Sequence, residues 1–159
     1  MGLDMYLNKV IFVGAEYDHR NVDAIVDIKI GDKTVKVNPS KISTIHERAC
    51  YWRKANAIHK WFVDNVQDGD DNCGAYWVSI EHLEQLLGVV NEVLEDHSKA
   101  EELLPTESGF FFGDTVYDEW YFEGLEYTKE EFTRILDEQN SLDDSDCVNR
   151  CDFEYSASW

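Results

Sequence analysis

Apolar and polar positions alternate from the first residues: Leu3, Met5 and Leu7 share one side of an extended segment that Ile11, Phe12 and Val13 close. The pattern predicts a strand over Leu3 to Val13. A second alternating run, Asp23 to Lys29, leads into Ile30-Gly31-Asp32-Lys33, whose central Gly-Asp suits a two-residue turn, and Thr34, Val35 and Val37 form the return strand. Residues 23–38 therefore read as a hairpin. Pro39 stops it, because proline has no N–H for a ladder.

From about Glu47 to Val66 the period becomes helical, with Tyr51, Ala55, Ile58, Phe62 and Val66 on one stripe. The polar loop 67–74 ends that helix, and Ala75 to Val78 reads as a short aromatic strand. Ser79 caps a second helix that buries Leu83, Leu86, Leu87, Val90, Val93 and Leu94. Pro105 to Gly113 reads as extended, with Phe110-Phe111-Phe112 between two glycines. Thr128-Lys129-Glu130-Glu131 fits a capping box and predicts a third helix from Thr128 to about Gln139. An acidic loop, 140–151, precedes a final strand in which Phe153, Tyr155 and Ala157 alternate with polar residues. These elements imply one α+β domain over residues 1–159, a mixed and mostly antiparallel sheet packed by two or three helices.

Composition adds limits to that picture. A chain of 159 residues buries an ordinary core without staples, and no run approaches the roughly 18–20 apolar residues of a membrane span. Gly2 follows the initiating methionine, but Tyr6 stands where myristoylation favours serine or threonine. No charged-then-apolar leader opens the chain, so a cytoplasmic protein is expected. Cys50, Cys73, Cys147 and Cys151 lack a secreted framework and are expected as thiols. Only Cys147 and Cys151 are spaced as a ligand pair, which argues against structural zinc; no metal or cofactor is expected.

Charge is divided unevenly. Residues 1–62 carry ten Lys/Arg against seven Asp/Glu, and residues 63–159 carry four against twenty-six, giving +3 and −22. Such a field repels nucleic-acid phosphates and attracts basic partners, which argues against direct nucleic-acid binding. The same acids also serve solubility, and composition does not separate the two roles.

Several motifs belong together: Met-Gly-Leu-Asp-Met-Tyr-Leu at 1–7, Tyr-Trp-Arg-Lys-Ala-Asn-Ala-Ile-His-Lys-Trp-Phe at 51–62, Leu-Leu-Pro-Thr at 103–106, Gly-Phe-Phe-Phe-Gly at 109–113 and Tyr-Asp-Glu-Trp-Tyr-Phe at 117–122. The set resembles a family of small uncharacterised proteins of phage genomes, prophages and their bacterial hosts. The likeness extends over most of the chain, including Tyr155 to Trp159. It implies a source, and by analogy an accessory role such as blocking a host defence, without an activity or a site.

Two constellations carry candidate chemistry. On the expected first helix, Trp52, Asn56 and His59 share a face with Arg53 at its edge. A stacking plate, an amide, an imidazole and a planar cationic fork suit a nucleotide, a carboxylate or a partner's backbone; equally, they suit structural packing against strand ends. The second is Gly109 to Tyr121, where glycines flank three phenylalanines and Asp114, Thr115, Tyr117, Asp118, Glu119 and Trp120 follow, an aromatic pocket with acids at its mouth; equally, it suits a buried strand and turn packing the sheet edge. It has no Gly-Lys-Ser/Thr and is not a phosphate loop. The acidic loop Asp68 to Gly74 alternates like a calcium loop, but Cys73 stands at the glycine position and Ser79 at the final glutamate position. A hydrolase would draw on His59 and Asp118, with Asp4, yet no nucleophile elbow or paired-histidine motif accompanies them. The expectation is a binding protein that occludes a basic surface on a host or phage macromolecule. The alternatives are a binder of a small nucleotide-like ligand and, after it, the hydrolase.

Overall fold

The computed structural model describes residues 2–13, 28–35, 38, 41–142 and 151–159. Its elements run β1 (Asp4–Phe12), β2 (Ile28–Ile30), β3 (Lys33–Val35), β4 (Thr44–Arg53), α1 (Asn56–Asn65), β5 (Ala75–Val78), α2 (Ile80–Glu95), a 3₁₀ turn (His97–Lys99), α3 (Ala100–Leu103), α4 (Glu119–Asn140) and β6 (Asp152–Ser158). The fold is α+β, as the hydrophobic pattern implies. A four-stranded sheet in the order β4-β1-β6-β5 is antiparallel throughout, and β2-β3 is a separate two-stranded ribbon.

Alternation explains the sheet. Met5 and Leu7 of β1 lie opposite Trp52 and Cys50 of β4 and opposite Ala157 and Tyr155 of β6, and all six are buried. They meet Ala57, Ile58, Trp61 and Phe62 of α1, Leu83, Leu86, Val90 and Val93 of α2, and Leu125, Phe132, Ile135 and Leu136 of α4 in one core. The helices therefore cover one face. Residues of opposite parity are more open: Tyr6 and Tyr51 have ring centroids 5.5 Å apart, with the Arg48 guanidinium 5.0 Å from one and 5.7 Å from the other. A bulge in β4 between the Leu7 and Asn8 partners shifts the register by one residue.

Four expectations hold: β1, the terminal strand β6, the short β5, and α2 capped by Ser79, whose Oγ accepts from the His82 N–H. The hairpin turn also forms, with Gly31 at φ 60°; residues 23–27, 36, 37 and Pro39 lie outside the described residues. Three others are corrected. The helix expected from Glu47 begins only at Asn56, and residues 44–53 are strand. Buried Cys50 and Trp52 alternate with exposed Tyr51 and Arg53, and pairing with β1 outweighs the accidental helical spacing of Tyr51 and Ala55.

The third helix starts at Glu119, not Thr128. Asp118 is its cap, accepting from the Tyr121 N–H at 3.1 Å, and Thr128 lies inside, donating to the Gly124 carbonyl at 2.7 Å. Within Pro105–Gly113 no strand forms: Phe112 N–H closes a turn on the Gly109 carbonyl, Phe112 is buried and Phe110 is 94% exposed. Among the described residues, no helix is long and apolar enough to cross a membrane. Cys50, Cys73 and Cys151 are free; Cys147 lies outside the described residues.

Candidate functional site

Two backbone hydrogen bonds and one buried side chain bring distant segments to one place. Leu3 N–H donates to the Phe111 carbonyl at 3.0 Å, and Lys54 N–H donates to the Leu3 carbonyl at 2.8 Å, so the end of β4 and the 109–113 turn meet beside the start of β1. Asn56, buried at the first turn of α1, then fastens the wall. Its Nδ2 donates to the carbonyls of Phe112 (3.2 Å) and Asp114 (2.8 Å), and its Oδ1 accepts from the Glu107 N–H (3.1 Å). Opposite this wall stands the first half of α4, anchored where buried Trp52 donates its indole N–H to buried Thr128 at 2.9 Å.

Between them lies a groove of about 780 Å³. Arg53, Lys54, Asp114, Asp118 and Glu123 line it, with Tyr51, Trp120, Tyr121 and Tyr127 supplying aromatic surface. This size lies within the range of small-molecule pockets, and the lining combines aromatic walls with several charged groups.

The structure gathers Trp52, Arg53, Asn56, Asp114, Asp118 and Trp120 at this groove. Trp52 and Asn56 are buried and hold the walls together, whereas Trp120 is 80% exposed. His59, Tyr117 and Glu119 do not line it. Tyr117 packs edge-on against Tyr121, and its hydroxyl accepts from Thr106 N–H; Glu119 is the exposed first residue of α4.

His59 is 1% exposed and faces the interior, with Nδ1 2.8 Å from the Tyr155 hydroxyl and Nε2 3.2 Å from Asp71 Oδ2. Burial pushes the Tyr155 hydroxyl well above the ordinary phenol range, so it keeps a proton to donate to Nδ1. The tautomer carrying its proton on Nε2 then donates to Asp71, and both ring nitrogens are satisfied. Asp4 accepts from the Tyr51 hydroxyl at 2.5 Å, and Asp118 caps α4. The three residues a hydrolase would use thus have separate partners, and the histidine is shut away from solvent.

Sequence reasoning missed Lys54, Tyr51 and Tyr127. Gly113 alone signals one of them: at φ 92°, a Cβ there would come 3.1 Å from the Lys54 Cβ, so glycine permits the close approach. Tyr121 and Tyr127 share the groove only because α4 begins well before Thr128.

Among the described residues, neither Arg53 nor Lys54 has a carboxylate within 4.0 Å. Asp4 is the cross-strand neighbour of Arg53, but it holds Tyr51, whose hydroxyl it keeps protonated to higher pH by accepting its hydrogen bond. Asp114 is also engaged, accepting from Thr115 and Val116 N–H. Among the described residues no three His, Cys, Asp or Glu side chains gather to hold a metal ion. Compared with known families, curated proteins and solved structures, the chain has no significant match to any of them.

Proposed function

We propose that the protein binds a small nucleotide-like ligand, a planar ring carrying an anionic group, in the groove between the β4–α1 junction and α4. One observation carries the reading: Arg53, the exposed indole of Trp120 and the carboxylates of Asp118 and Glu123 converge on a single cavity of about 780 Å³, from segments more than 60 residues apart. The indole offers a stacking plate, the guanidinium a planar fork for an anion, and the acids accept donors on a ring edge. Binding without catalysis is the economical reading of a site that His59 does not reach.

Titration of the purified protein with ribonucleosides and their 5′-monophosphates, followed by tryptophan fluorescence and thermal shift, tests this. Ligand should quench fluorescence and raise Tm; Trp120→Ala should abolish the quench while leaving the melting curve of the free protein nearly unchanged. A panel that moves neither signal removes the reading.

A second reading is favoured by a different observation. α2 and α4 contribute to the same core, and outside it α4 exposes Glu119, Glu123, Glu126, Glu130, Asp137 and Glu138, while Arg134 is neutralised by Glu131 (2.6 Å) and Glu138 (2.8 Å). With the likeness to phage proteins, this acidic surface supports a phage-derived protein in the bacterial cytoplasm that occludes a basic macromolecule, a host-defence component among the candidates. A partner recovered from infected cells should associate more slowly as salt shortens the screening length from ~10 Å at 0.1 M towards ~3 Å at 1 M. Salt-independent association with that partner counts against occlusion.

A further inference from the structure

We propose that Arg53, Lys54 and the first turn of α1 form a phosphoryl-binding subsite at one end of the groove. The inference rests on the groove being a ligand site, and it assigns which end holds the anion.

Lys60, Lys99 and Arg134 have carboxylate partners, whereas Lys9, Lys29, Lys33, Lys41, Arg48, Arg53, Lys54 and Lys129 have none within 4.0 Å among the described residues. What sets Arg53 and Lys54 apart is their place: adjacent and exposed, they are the described cations that line the groove. Like charges placed together without a counter-ion repel one another, and an anion between them removes the repulsion.

Backbone geometry brings them together. Successive residues of a strand point to opposite faces, which would separate these side chains. Lys54 instead adopts φ 59°, a left-handed conformation that a lysine rarely takes. Both cations then flank Gly2: a Cβ at that position would lie 3.4 Å from Lys54 Cε and 3.8 Å from an Arg53 guanidinium nitrogen. On its other side the Lys54 stem rests on Gly113, whose missing Cβ leaves room for it. Strain of this kind persists only where the surroundings enforce it, and here the Lys54 N–H bond to the Leu3 carbonyl does so. A stem held between two glycines loses less freedom when its ammonium fixes an anion.

The helix that follows adds a third contribution. No side chain caps α1 at Ala55, and Ala57 and Ile58 of its first turn line the groove beside the two cations. The unpaired N–H groups and the positive end of the helix dipole favour negative charge at this place. Asp114, Asp118 and Glu123 also line the groove, but none is within 4.0 Å of either cation, and Asp114 and Asp118 are oriented by backbone N–H groups of their own loop and helix.

The test uses the full chain, with inorganic phosphate, the ribonucleoside 5′-monophosphates and the parent nucleosides as probes in calorimetry and amide NMR. A monophosphate should bind roughly tenfold or more tightly than its nucleoside, as one or two charge-assisted hydrogen bonds would give. Arg53→Gln and Lys54→Gln should each erase most of that advantage and leave nucleoside binding unchanged. Lys54→Gly relieves the left-handed strain, so it should fold at least as well as the parent and still lose the phosphate. Phosphate that shifts the Lys54 and Ala57 amides while no nucleoside binds would uphold the subsite and remove the ring-binding reading. Nucleosides binding as tightly as monophosphates, indifferent to all three substitutions, would overturn the subsite and leave the groove as a ring-binding site. Absence of any response to phosphate and monophosphates also overturns it.

Discussion

Trp52 donates its indole N–H to the Thr128 hydroxyl at 2.9 Å, and that hydroxyl in turn donates to the Gly124 carbonyl at 2.7 Å. The pair joins the last turn of sheet before the groove to the middle of α4, and both residues are buried. The Trp52 ring also meets Tyr127 and Phe132 edge-on, with centroids 6.2 and 6.1 Å away. The groove wall is therefore set by a polar contact inside an aromatic cluster.

Thr128→Val keeps the shape but leaves the indole N–H without an acceptor. It should cost about 1–3 kcal/mol, the usual penalty for a buried donor left unpaired. Thr128→Ser retains the hydroxyl and removes one buried methyl, so about 1 kcal/mol or less is expected. Urea denaturation of the two variants decides the point, and equal losses would mean that packing alone holds the contact.

Asn56→Ala removes the amide that fastens Glu107, Phe112 and Asp114 to α1. A loss of about 1–3 kcal/mol is expected, together with faster hydrogen exchange at the Glu107 amide. Because the same loop walls the groove, ligand affinity should fall with stability. Arg53→Ala, on an exposed side chain, should lower affinity alone.

Alkaline stability should depend on Tyr155. Burial raises its folded-state pKa well above the ordinary phenol range, with the Asp71 charge adding to the effect. A group raised in this way contributes stability that is complete below its unfolded pKa and declines as pH rises beyond it. The stability curve should therefore bend downward above about pH 10. Tyr155→Phe should flatten that decline while costing about 1–3 kcal/mol at neutral pH, since His59 Nδ1 loses its partner. An unchanged alkaline slope in Tyr155→Phe would assign the decline to other tyrosines.

Thiol chemistry should separate the cysteines. Burial pushes the Cys50 thiol up to about 12, so almost no thiolate exists near neutrality, and the side chain is 1% exposed. Cys73 is exposed. Brief treatment with a thiol-specific reagent, read by peptide mass mapping, should modify Cys73 and spare Cys50 until denaturant is added. Native-state labelling of Cys50 at the rate of Cys73 would show that β4 opens readily.

Much of the fold follows from local pattern. β1, β6 and α2 have one-sided burial with a clean period, and α2 has its own cap, so each declares itself within its own residues. The candidate residues were legible as two separate groups, Trp52, Arg53 and Asn56 in one and Asp114, Asp118 and Trp120 in the other. Nothing local joins them. His59 illustrates the limit: its type suggests chemistry, but a tyrosine 96 residues away takes its Nδ1.

Sequence by itself determined the α+β class, the strongly acidic second part and the glycines at turns, because periodicity, charge and φ preference act over a few residues. Tertiary structure alone decided that 44–53 is strand, since apolar spacing there fits both periods and only the β1 partner selects one. It also decided that α4 begins at Glu119, capped by Asp118, and that Arg53 and Lys54 sit side by side. The start of α4 rests on the Asp118 cap, which leaves Thr128 inside the helix to accept from Trp52, and the cation pair rests on the left-handed Lys54 held by Leu3 and Gly113. The groove exists because long-range hydrogen bonds and close glycine contacts place these segments together, and such forces leave no period in the chain.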